Sequence, residues 1–218
     1  MTTNYKIFTF GGAGGNIANY LQRRDIINND RIFYFNGDKF AVERSSLENK
    51  YFIENLSSCI GPLRKETVEK VFEEEIELFD NLTDDDSFYI LLGALAGSIG
   101  SRLLIKMAEL LEKKGKKFVA IGILPFEFES RRKEEKALYA REELQKITSN
   151  IIVVSNENVR NLFKDLSIME AFDKADYYAT EVIIELLLSS HEKNKIISGI
   201  LQKDNAVAES IIKIKQTK

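Results

Sequence analysis

Near-continuous apolar runs recur along the chain at residues 5–10, 31–35, 87–92, 117–124 and 150–154, with a short weaker one near 51–53. Runs of this length without polar alternation fit parallel strands buried on both faces. Between them, apolar residues fall at helical spacing over 16–24, 63–79, 101–114, 133–147 and 158–164. Strand and helix in alternation predict a three-layer α/β fold, a doubly wound and mostly parallel sheet. A longer helical pattern follows at 168–189, where Phe172, Ala175, Ala179, Val182, Ile183 and Leu186 form an apolar face. "SSHEKNK" interrupts it, and 206–214 reads as a short terminal helix, with no second sheet domain after it. The expected organisation is an α/β domain over 1–166, a long helix packed on it over 167–190, and a helical tail over 191–218.

Composition narrows the function classes. With 218 residues, 44% of them hydrophobic, and two prolines, the chain has the means to bury the core of one domain. Its 31 basic and 34 acidic residues leave a net charge of −3, with no cationic excess for nucleic acid or an anionic membrane. Cys59 is the only cysteine and His191 the only histidine, which excludes an intrachain disulfide and a histidine-rich zinc site. His191 follows an apolar helical run and reads as a solvated helix-end residue. No apolar stretch reaches membrane length and the N-terminus has no signal pattern, so a cytoplasmic protein without a membrane span is expected.

The candidate chemistry lies at the carboxyl ends of the strands. "GGAGGN" sets Gly11, Gly12, Ala13, Gly14, Gly15 and Asn16 between the first strand and the first helix. Clustered glycine costs backbone entropy. A strand, a glycine turn and a helix N-terminus together offer bare N–H groups and a helix dipole to a phosphate; a tight turn without a ligand is the alternative. "FNGDKFAV" follows the second strand and carries Asn36 and Asp38, an amide and a carboxylate suited to a ribose or a hydrated magnesium ion. "GALAGSIGS", 93–101, is a second loop of small residues opening a helix, and two such turns suit a di- or triphosphate. "PFEFESRRK" brings Glu129 ahead of Arg131, Arg132 and Lys133, and "SNENV" brings Asn156. Doubly wound folds gather such loops in one crevice. Asp84, Asp85 and Asp86 stand at the start of a strand, at the opposite edge, and no metal cluster is read there or elsewhere.

Taken in order, these loops resemble the nucleotide-binding domain of the FtsZ/tubulin family of GTPases over roughly residues 4–190. The most specific parts are "GGAGGN", the run from "ILPFEFESRRK" through "VVSNENV", and "SIMEAFDKADYYATEVIIELL", which is similar to the family's long central helix. The resemblance implies GTP or GDP as ligand, with Mg2+ as a possible companion. It implies Gly12, Gly14, Gly15 and Asn16 around the α- and β-phosphates, with Gly11 and Ala13 in the same loop, and Gly97 and Ser98 in the loop that wraps the phosphates. Asn36 and Asp38 would lie near ribose and metal, Glu129 on the sugar, Asn156 on the base, and Phe172 stacked on the purine. Asp176 would accept from guanine's N1–H and exocyclic amine, and its spacing from Phe172 independently puts both on one helix face.

The match departs in several places. "AGSIGS" stands where the family has a GGTGTG or GGTGSG run, so Ile99 and Ser101 occupy glycine positions, and a β-branched residue at 99 is expected to crowd a terminal phosphate. The third loop is the short "SSCIGP" of 57–62, and Lys133 stands near the position of the family's arginine. GDP affinity comparable to GTP affinity follows as an expectation. Asp204 and Glu209 are candidate remnants of the acids that polarise water across the family's subunit contact, although the Asn-x-Asp-x-x-Asp pattern is missing. The resemblance also stops short of the family's second domain, so self-association or pairing with another tubulin-like subunit is expected to differ from the usual filament contact. The functional expectation is a guanine-nucleotide-binding protein with weak or no intrinsic hydrolysis, in a cytoskeletal or cell-division role. The alternatives are a GTPase completed by a partner or second subunit, and a non-binding interaction module. A dehydrogenase of the dinucleotide-binding type is disfavoured, because Asn36-Gly37-Asp38 replaces the acid that closes the second strand in that fold.

Overall fold

A computed structural model describes residues 4–57, 65–163 and 165–188. The strands are β1 (Tyr5–Phe10), β2 (Ile32–Asn36), β3 (Asn49–Phe52), β4 (Phe88–Ala94), β5 (Phe118–Leu124) and β6 (Ile151–Ser155). They form one sheet in the order β3-β2-β1-β4-β5-β6, and every pairing is parallel rather than most of them. β1 is central, with Phe8 in register with Phe33 of β2 on one side and Leu91 of β4 on the other.

Alternate residues of each strand feed opposite cores. Phe8, Phe10, Phe33, Phe35 and Leu91 pack under α4 (Lys65–Glu74), α5 (Ile76–Leu82), α6 (Gly100–Lys113) and α7 (Arg131–Ile147). Ile7, Ile32, Tyr34, Ile90, Leu92 and Val154 face α1 (Gly11–Arg23), α8 (Asn156–Leu162) and α9 (Ile168–Leu188). Both faces are covered, which is why the strand sequences read as unbroken apolar runs. On α9, Ala179, Val182 and Ile183 are buried against the sheet, as their helical spacing predicts. Polar bonds from α1 and the residue after it hold α9 as well: Asn16 donates to Asp176, Tyr20 to Asp173 and Arg24 to Glu181.

Three local features differ from the sequence pattern. The stretch 63–79 reads as one helix, but Glu75, with φ −98° and ψ 9°, separates α4 from α5. In an unbroken helix Phe72 and Phe79 would stand about 10 Å apart along the axis. Across the break their rings stack at 4.7 Å, and Phe79 reaches Phe35. Secondly, two short helices, α2 (Lys39–Arg44) and α3 (Glu54–Ser57), flank β3. α2 is started by Asp38, whose carboxylate accepts from the Ala41 N–H at 3.1 Å. Thirdly, the glycine-rich stretch is not a turn ahead of the first helix. α1 begins at Gly11, so the glycines form its opening turns. Glycine is the poorest helix former after proline, which hides this start from a propensity reading; close packing requires it instead. Gly11 has φ +73°, and a Cβ on Gly15 would lie 2.6 Å from the Tyr34 ring and hydroxyl.

Candidate functional site

β1 and β4 are neighbours whose helices leave toward opposite faces of the sheet, α1 into one core and α6 into the other. A doubly wound sheet opens a crevice at such a point. The opening turns of α1 and α6 meet there at close range: a Cβ on Gly100 would come within 2.9 Å of the Phe10 carbonyl oxygen, and one on Gly11 within 3.0 Å of the Gly100 nitrogen. Between them lies a cavity of about 230 Å3, lined by Phe10, Gly11, Gly12, Ala13, Asn36, Ala94, Gly97, Ser98, Ile99 and Gly100. That volume suits the phosphate part of a nucleotide rather than the whole of a drug-sized ligand, whose pockets run from roughly 300 Å3 upward.

The electrostatics of this cavity come from backbone. The residue ahead of α1, Phe10, and the residue ahead of α6, Ile99, make no side-chain cap. By contrast, α2, α7 and α8 are capped by Asp38, Ser130 and Ser155. The first N–H groups of a helix need an acceptor from outside the helix. Here two helix N-termini, each with its dipole, converge on one concavity without supplying a side-chain acceptor. Among the described residues, no charged side chain lines the cavity. Asn36, only 3% exposed, is the one amide there, and its Nδ2 donates to the Tyr34 hydroxyl at 2.7 Å. The same Tyr34 ring underlies Gly15, so one buried side chain supports both the glycine turn and Asn36.

Further along α1, Asn16 Nδ2 donates to Asp176 Oδ2 at 3.0 Å. Burial pushes the Asp176 carboxyl up to about 6; the Asn16 bond opposes that rise and nearby Asp173 adds to it. One helical turn before Asp176, Phe172 is 39% exposed and meets Phe126 edge-to-face at 4.9 Å. Phe126 in turn stacks on Phe128 at 4.8 Å. Asn156, at the start of α8, is 8% exposed, and its Oδ1 is buried without a hydrogen-bond partner among the described residues. Buried orphan acceptors are rare and call for an explanation.

The residues singled out from sequence therefore divide. Gly11, Gly12, Ala13, Asn36, Gly97 and Ser98 line the cavity, and Asn16 and Asp176 bond to each other. Gly14 and Gly15 pack inward on Thr9 and Tyr34. Asp38 is exposed and caps α2. Glu129 is engaged within its own loop, Oε1 accepting from the Phe126 N–H at 2.9 Å and Oε2 from Lys133 Nζ at 2.6 Å. Asp204, Glu209, residues 58–62 of the third loop and the helix expected at 206–214 lie outside the described residues. Tyr34, Ala94 and Gly100 were not singled out. For Gly100 the signal was present in "AGSIGS"; Tyr34 is an ordinary strand residue whose role depends on what stands across from it.

Comparison with known proteins identifies the family and the fold. A family model described as the GTPase domain of the Tubulin/FtsZ family matches residues 4–164. Cell division protein FtsZ 1 of Thermococcus kodakarensis is 30% identical over 208 residues, covering 91% of this chain and 55% of that protein. Cell division protein FtsZ of Aquifex aeolicus is 28% identical over 181 residues, covering 82% of this chain and 49% of that protein. The chain spans about half the length of these curated relatives. An empty FtsZ dimer from M. jannaschii superposes with a TM-score of 0.76 at 21% identity, over 87% of this chain and 57% of that one, which speaks to the fold. No helix among the described residues is long and apolar enough to cross a membrane. With a family model matching most of its length, and the two glycine-lined helix starts lying inside that match, this chain belongs to the Tubulin/FtsZ family through its GTPase domain.

Proposed function

We propose that the chain binds a guanine nucleotide, with the phosphates in the cavity between α1 and α6 and the base against Phe172 and Asp176. The observation that carries this reading is the convergence of two helix N-termini without side-chain caps on one concavity. Three others support it. Asn16 ties Asp176 to the same helix whose first turn lines the cavity, so base and phosphate ends share one rigid element. An ionised carboxylate at 176 accepts from guanine's N1–H and exocyclic amine, a donor pair that adenine does not present. The buried Asn156 Oδ1 stands ready for a donor. Membership of the family supports GTP and GDP as the ligands, with Mg2+ carried on the phosphates rather than held by a protein cluster.

On this reading hydrolysis by the isolated chain is weak or absent. Among the described residues lining the cavity none carries a carboxylate to polarise water, which supports this part of the proposal. Acids from a second copy or a related subunit would complete the site, in a cytoskeletal role or in cell division, the process named for the relatives. The test is to denature the purified protein, identify any nucleotide released, and titrate the emptied protein with GDP, GTP and ADP while following phosphate release. Guanine-selective binding without release supports the reading. Release that rises steeply with protein concentration assigns catalysis to an assembled form. No binding at all sinks the proposal in favour of an interaction module on the same fold.

A further inference from the structure

We infer that Ile99 closes the terminal-phosphate end of the cavity, so that the site selects a nucleoside diphosphate over a triphosphate. The inference rests on the guanine-nucleotide reading and goes beyond the parity of GDP and GTP that the loop sequences suggest. Its direction comes from the sheet order. Asp176 lies on α9, which packs against α1 on one side and against α8, the helix after β6, on the other, and Phe126 and Asn156 follow β5 and β6. The cavity lies over β1, β4 and β2, through Phe10, Ala94 and Asn36. A nucleotide with its base at Asp176 therefore runs across the opening turn of α1 toward β2, and its last phosphate arrives beside Asn36 and Ile99.

Ile99 reaches across that end. Its backbone is ordinary, with φ −86° and ψ −51°, so what matters is where the side chain goes rather than any restriction on the loop. A Cβ built on Gly37 would stand 3.0 Å from Ile99 Cδ1 and 2.8 Å from Leu56 Cβ. The loop after β4 thus touches the loop after β2 through an apolar bridge. Ile99 also packs against the aromatic core that contains Phe35 and Leu56, which holds it in place. A branched hydrocarbon wall at this point takes space and offers no donor to a doubly charged terminal phosphate. Two uncapped helix N-termini match the α- and β-phosphates, and among the described residues the lining holds no cationic side chain for a third.

The test titrates GDP and GTP, each with Mg2+, into emptied wild-type protein and into Ile99→Ala and Ile99→Thr, with thermal unfolding followed in parallel. Wild type is expected to bind GDP about tenfold or more tighter than GTP. Ile99→Ala is expected to bring the two within about threefold, by a gain for GTP with GDP nearly unchanged. Ile99→Thr keeps the branched shape and adds a hydroxyl donor; it should shift the ratio the same way, and it carries the test if the alanine variant does not fold. Equal affinities for wild type overturn the inference alone. A fall for both nucleotides together on substitution also overturns it, since Ile99 would then only support packing. Failure of wild type to bind either nucleotide overturns the guanine-nucleotide reading itself, and this inference with it.

Discussion

At the amino ends of the strands, acids and lysines satisfy one another. Asp85 accepts from Lys6 at 2.8 Å and from the Tyr89 hydroxyl at 2.7 Å, and Lys114 donates to Asp80 and Thr83. Lys116 donates to the Asp85 carbonyl at 2.8 Å and pairs with Asp86. At the carboxyl ends Glu129 and Lys133 also pair, but two helix starts lack side-chain caps, Asn156 Oδ1 has no partner among the described residues, and burial raises Asp176. The carboxylates make the contrast sharp. Burial would raise Asp85, but bonds from Lys6, Tyr89 and Ser87 outweigh it and hold the carboxyl well below the usual range. Asp176 has a single amide to offset its burial. The amino edge pairs its acids with lysines, although Asn29 Oδ1 and Ser87 Oγ have no partner among the described residues. The carboxyl edge leaves helix N–H groups and a raised carboxyl for the proposed nucleotide.

The largest effect that would break this contrast is at Asp176. Asp176→Ala is expected to weaken GDP binding about 100-fold, close to 3 kcal/mol, in a direct titration. The apo protein at neutral pH should be no less stable for the change. The sign follows from the raised carboxyl: the folded state disfavours the ionised form, so this group's contribution to stability falls as pH rises from the ordinary carboxylate range to about 6. Ligand binding has the opposite dependence. Guanine needs the ionised acceptor, so GDP affinity should drop as pH falls through about 6, and a flat profile from neutral to acid would contradict the assignment.

Next comes Gly15. In an open helix Gly→Ala gains about 1 kcal/mol, but here the added methyl meets Tyr34. Gly15→Ala should instead lose about 2 kcal/mol, read by chemical denaturation. Asp85→Ala at the opposite edge should cost about 1–2 kcal/mol of stability, because it strips partners from Lys6 and the buried Tyr89. It should leave nucleotide affinity unchanged. Because the folded carboxyl is depressed, its contribution is present above the usual carboxylate range and is lost as pH falls through the folded value, so the variant should flatten the acid limb. Smallest is Lys133→Ala. It breaks a half-exposed pair with Glu129 and should shift stability by under about 1 kcal/mol.

The fold was legible because burial on both faces writes itself into sequence as unbroken apolar runs, as at residues 87–92 and 117–124. Helix periodicity on the 168–189 segment likewise identified most of the buried face of α9, Ala175, Ala179, Val182 and Ile183, while Phe172, read onto the same face, stands exposed. Propensity misled where packing overrode it. Glycines that discourage helix formation open α1, because only glycine lets α1 lie against α6 and Tyr34. The pattern over 63–79 could not show the break at Glu75, which exists so that Phe72 and Phe79 can stack. Asp38 looked like a ligand residue, and its carboxylate is also an N-cap signal that the short helix after it made easy to miss.

The sequence by itself determined the parallel sheet, the two glycine-rich helix starts and the spacing of Phe172 and Asp176, since each depends on local chemistry or a fixed period. Tertiary structure alone decided which polar groups are left available. Asp85 and Asp176 are the same residue type, and only their neighbours, Lys6 and Tyr89 for one and Asn16 for the other, separate a structural acid from a candidate ligand acid. The reach of Ile99 to Gly37 was decided in the same way, because it depends on two loops far apart in the chain meeting at one end of the cavity.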